Sequence, residues 1–69
     1  MESEECKAAY EVMEGLKKAV EMWRKGEVSD RAFLEWLREN LKKVVEAFIV
    51  LVSEEHRWIV LEVLDKVVG

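Results

Sequence analysis

Val44-Val45-Glu46-Ala47-Phe48-Ile49-Val50-Leu51-Val52 carries one charge in nine residues. A helix this apolar on all sides does not sit on the surface of a small monomer. It is also too short to span a bilayer, which takes about 20 apolar residues. Three readings remain: a buried strand, an enclosed helix, or a helix covered by another chain. The choice among them decides the fold, and it is made by what lies on either side.

Helical spacing continues through both flanks, Leu41-Lys42-Lys43-Val44 before the run and Glu62-Val63-Leu64-Asp65 beyond it. A hairpin pairing 48–52 with 58–61 suits the β-propensity of those residues. The intervening Ser53-Glu54-Glu55-His56-Arg57 lacks the Gly, Asn-Gly or Pro chemistry of a tight turn. The helical reading is therefore preferred. Start and stop signals divide the chain into three helices, at about 3–25, 29–52 and 54–68. Ser3 caps the first, Glu4 and Glu5 fill its first turn, and Gly26 closes it. Ser29 caps the second, with Val28 and Phe33 placed as a hydrophobic staple. Ser53, followed by Glu54 and Glu55, reads as the start of the third, and Lys66 and Gly69 close it. No Gly or Pro falls between Ser29 and Gly69, so a single helix over 29–68 is the competing form.

Apolar stripes at 3,4 spacing mark the buried faces. The first helix offers Cys6, Ala9, Met13, Leu16, Val20 and Trp23; the second offers Leu34, Leu37, Leu41, Val44, Phe48 and Leu51. A small-residue stripe, Ala8, Val12, Gly15, Ala19 and Met22, suggests close approach of another backbone at Gly15. The expected fold is all-α, an antiparallel three-helix bundle forming a single helical domain over 1–69.

Sixty-nine residues bury too little surface for comfortable stability without disulfides, metal, oligomerisation or very good packing. One cysteine, Cys6, rules out an internal disulfide, and one histidine, His56, rules out a His-rich metal site. Oligomerisation and packing are left. Against that frame the solvent stripe of the second helix runs into Ile49 and Val50, and the polar stripe of the third holds Trp58. Exposed apolar clusters and surface tryptophans usually mark interfaces. The expected interface is Ile49, Val50, Val52, Trp58 and Ile59, at the end of helix two and the start of helix three, closing a homodimer.

The net charge of −4, with dispersed bases, argues against a nucleic-acid footprint. The acidic N-terminus lacks the apolar core of a signal peptide, so a cytoplasmic location and no membrane partner are expected. Abundant Glu and Lys with no Gln and one Asn is a thermophile-like composition. An idealised design shares that trait, but eleven valines point to a natural chain. No cofactor, metal or catalytic site is expected. Cys6 reads as a buried thiol, His56 as a helix-start residue at the core edge, and Glu46 as a solvated carboxylate. The aromatics read as core, and the glycines are too scattered for a phosphate loop. The expected role is a non-enzymatic protein–protein interaction or scaffolding module whose partner is itself. The alternatives are a small regulator binding another protein through the same patch, or a ligand-binding bundle.

Overall fold

The computed structural model describes residues 4–68. It is all-helical, with α1 at Glu4–Arg24, α2 at Asp30–Ser53 and α3 at Arg57–Val68 packed against one another. Neither a hairpin nor one continuous helix over 29–68 forms. The Ser3 cap and the Gly69 stop lie outside the described residues. Ser29 caps α2 as expected, its hydroxyl accepting from the Ala32 N–H at 3.1 Å. Phe33 is buried and Val28 half-buried, in keeping with a staple.

The helices run in a definite order. The short turn after Arg24 reverses the chain, so α2 is antiparallel to α1. Tyr10 meets His56, Lys17 meets Glu62, and Glu21 meets Lys66. Position along α1 thus rises with position along α3, and the two are parallel. The core is built on α1: Cys6, Ala9, Met13, Leu16 and Val20 are all buried, and Trp23 is half-buried. From the other side come Phe33, Val44, Ala47 and Leu51 of α2 and Ile59, Val60 and Val63 of α3. Trp23 stacks on Phe33, with ring centroids 4.4 Å apart, and its indole N–H donates to Asp30 at 2.8 Å. That contact fastens the α1–α2 turn.

The expected stripe of α2 is only partly the buried one. Val44 and Leu51 are buried as expected, but Leu34 and Leu41 are 58% and 51% exposed, and Phe33 and Ala47 enter the core. α2 carries two seams of 3,4 spacing, offset by one residue. One is Phe33, Leu37, Asn40, Val44, Ala47 and Leu51; the other is Leu34, Arg38, Leu41, Val45, Phe48 and Val52. Each is interrupted by one polar residue, so pattern alone ranks them equally. α1 packs on the first. Asn40 is accommodated there by donating its amide to the Trp36 carbonyl at 2.8 Å.

The break between α2 and α3 differs from the sequence expectation. Ser53 is the last residue of α2 rather than the cap of α3, which begins at Arg57 instead of residue 54. The chain leaves α2 through two reversed hydrogen bonds, His56 N–H to Leu51 carbonyl at 2.7 Å and Glu55 N–H to Val52 carbonyl at 3.2 Å. This is a Schellman turn, which needs a left-handed residue after the cap. Glu55 occupies that position at φ 64°. α1 ends the same way: Glu27 N–H bonds to Met22 carbonyl, Gly26 N–H to Trp23 carbonyl, and Gly26 has φ 78°. The second turn was hidden because its left-handed residue is a glutamate.

Two tests of this frame follow. A left-handed conformation costs an L-residue roughly 1 kcal/mol, and glycine escapes it. Glu55→Gly should raise stability by about 1 kcal/mol, moving Tm up by roughly 4–8 °C for a domain this size. Gly26→Ala should lower it similarly, since a Cβ there meets nothing within 4 Å and only the backbone is strained. Opposite signs in thermal melts support the two turns; equal signs refute them.

The Lys17–Glu62 ion pair, 2.8 Å long, gives the second. The hydrogen bond to Lys17, with its charge, holds the Glu62 carboxyl below its ordinary 4.5. The same bond lifts Lys17 above 10.5. A lowered carboxyl stabilises fully above its unfolded pKa, and the contribution fades as pH falls through the folded value. The raised lysine stabilises fully below its unfolded pKa and fades as pH rises through the folded one. The urea midpoints of the parent and Glu62→Gln should therefore differ most near neutrality and converge below pH 4. A gap that persists at low pH would exclude the ion pair as its source.

Candidate interaction surface

The five residues expected to form one patch are distributed over different parts of the fold. Ile59 is 3% exposed and belongs to the core, so it is not a surface residue. Val50 is half-buried against that core. With Ile49, 60% exposed, it lines a groove between α1 and α2 whose other wall holds Ala8 and Val12. Trp58, 54% exposed, lies on the other flank of α1, its ring 6.3 Å from that of Tyr10. On α1, Val12 and Tyr10 point nearly opposite ways, because two residues turn a helix by about 200°. The expected contiguity of Ile49, Val50 and Trp58 across the turn is therefore broken by α1 standing between them. Val52 falls on a third side.

That third side is where most exposed apolar surface gathers. On α2 it comprises Leu34, Leu41, Val45 and Val52. These belong to the seam that α1 leaves unused, so they face away from α1. On α3 the ion pairs of Glu62 with Lys17 and Lys66 with Glu21 fix which flank meets α1. Leu61, Leu64 and Val68 are 100° or more around the helix from Glu62 and share the side turned from α1. Their exposures run from 42% to 87%. No residue of α1 covers this face, since each helix of a three-helix arrangement can shield only two flanks of its neighbours. The sequence signal was present in the second seam of α2, but Leu34 and Leu41 had been given to the core.

Glu46 is exposed on the rim of the α1–α2 groove, near Glu5 and Lys43. Cys6 is 1% exposed, which keeps its thiol from a partner's cysteine unless α1 opens. His56 is half-buried, its Nδ1 2.8 Å from the Tyr10 hydroxyl, with the rings edge to face. A neutral imidazole protonated on Nε2 accepts from the phenol there; one protonated on Nδ1 donates to it. Either way the pair ties the start of α3 to α1. Gly15 does not mediate close helix packing within the protomer, because a Cβ built on it meets nothing within 4 Å. Among the described residues no group of three or more His, Cys, Asp or Glu is placed to hold a metal ion. No helix among them is long and apolar enough to cross a membrane. No known protein family, curated protein or solved structure matches this chain.

Proposed function

We propose that the chain is a homo-oligomerising interaction module, and that it self-associates through the face of α2 and α3 turned away from α1. The exposed side chains on that face carry this reading: Leu34, Leu41, Val45 and Val52 of α2 and Leu61, Leu64 and Val68 of α3 are all left at least 42% exposed. Exposed apolar clusters on small proteins usually mark an interaction surface. The chain as a whole exposes 5202 Å², against about 4500 Å² for a compact monomer of its 8.1 kDa mass. Small domains commonly make up for a thin core by oligomerising.

Binding of a different protein through the same face is the second reading, and the same apolar chemistry would serve it. Self-association is preferred because the face belongs to the element that is also marginal without it. α3 has only 12 residues, and covering Leu61 and Leu64 would secure it.

Sedimentation equilibrium at 1–100 µM tests the proposal, and a monomer across that range defeats it. Val45→Glu and Leu61→Glu should each raise the dimer dissociation constant at least tenfold, about 1.4 kcal/mol or more, with helical circular dichroism retained. Val63→Glu, which places a charge at a fully buried position, should unfold the chain instead. If the two surface variants unfold it as well, these side chains belong to the protomer core.

A further inference from the structure

The outer seam of α2 is complementary to itself when reversed. Its members Leu34, Arg38, Leu41, Val45, Phe48 and Val52 follow 4,3,4,3,4 spacing, the period of a coiled-coil seam. That spacing reads the same from either end. Two copies of α2 laid antiparallel, with the two-fold axis level with Lys43, therefore bring every seam position opposite another. Leu34 lies on Val52, Leu41 on Val45, and Arg38 on Phe48, each layer occurring twice.

We propose that the dimer suggested above is closed in this register, α2 antiparallel on α2 of a second copy, with Arg38 of each chain lying over Phe48 of the other. This inference rests on the self-association reading and adds its geometry. Two observations favour it. The first is Arg38, the one charge in an otherwise apolar seam. A guanidinium over an aromatic ring is attracted by the ring and keeps its charged edge in water. The parallel in-register alternative instead sets Arg38 against Arg38 inside the seam, two like charges with no partner. The second is size: each leucine meets a valine, so large and small alternate across the layers, as close packing requires. The register has one opposing contact, Lys42 near its own counterpart at the axis. Exposed lysines make this small.

An antiparallel register shifted by one heptad pairs Leu41 with Val52 and Val45 with Phe48. It avoids Arg38 but leaves Leu34 uncovered and makes four layers rather than six. The proposed register covers all of the exposed α2 seam.

Cross-linking decides the matter. In a Cys6→Ala background of the full chain, Leu34→Cys and Val52→Cys are made singly and together and treated with a short-arm bis-maleimide. The substituted positions are surface sites, and helical circular dichroism confirms folding. Residues 34 and 52 of one rigid helix are about 27 Å apart, too far for an internal link. The double variant should run as a covalent dimer on a denaturing gel, and each single variant as a monomer. A covalent dimer from Leu34→Cys alone means parallel pairing and overturns the proposal. So does a covalent dimer from a Leu41→Cys, Val52→Cys double variant in place of the 34 and 52 pair, which fixes the shifted register. Sedimentation of the unlinked chain separates these failures: a dimer with the wrong links refutes only the geometry, whereas a monomer removes the self-association reading with it.

Discussion

Everything in this fold depends on the stripe of α1 from Cys6 to Val20, every member of which is at most 5% exposed. It packs against both of the other helices, most extensively against α2. Met13 and Val20 reach zero exposure, as do Leu51 of α2 and Val63 of α3. Among the described residues these four side chains belong to a core of twelve buried residues, none of them polar or charged. At about 25 cal/mol per Å² of apolar area, a core this small leaves little margin after chain entropy is counted. Lys17–Glu62, Glu21–Lys66 and the Arg24 guanidinium on the Lys66 carbonyl all lie on the α1–α3 flank. Being exposed or half-exposed, they add little stability; burial of Ile59, Val60 and Val63 sets the rotation of α3 and so which of its side chains face outward.

The choice made by α1 has a direct consequence. By taking one seam of α2 it leaves the other, and with Ile59, Val60 and Val63 of α3 turned into the core, Leu61, Leu64 and Val68 are left outside. The exposed apolar face is thus the remainder of the folding problem, not a separate ornament. The principal extents are 38 × 23 × 15 Å, and it is on this exposed face that the proposed second copy docks.

The helices, their number and most of their ends were legible in the residues. Ser29 is a cap in both readings, Gly26 a stop in both, and the buried stripe of α1 is the one its spacing indicates. The errors are concentrated where two patterns competed. Ser53-Glu54-Glu55 has the composition of a helix start, yet it forms a helix end, because Glu55 takes a left-handed conformation usually reserved for glycine. Leu34 and Leu41 look like core and are exposed, because the adjacent seam also has the right period. Ile49, Val50 and Trp58 are near one another along the chain, but α1 parts them. Ile59 follows an exposed tryptophan and is itself buried, since adjacent helical residues are 100° apart.

The sequence by itself determined that this chain is helical, that it breaks near residues 26 and 54, and that it holds more apolar surface than three short helices hide. Those properties are local or compositional: period, caps and the balance of apolar to polar residues act within a turn or two of helix. Only the tertiary structure decided which apolar residues were left outside. That depends on which of two equivalent seams a neighbouring helix occupies. The preference is set by the summed packing of α1 against α2 and α3 rather than by any residue of α2 alone.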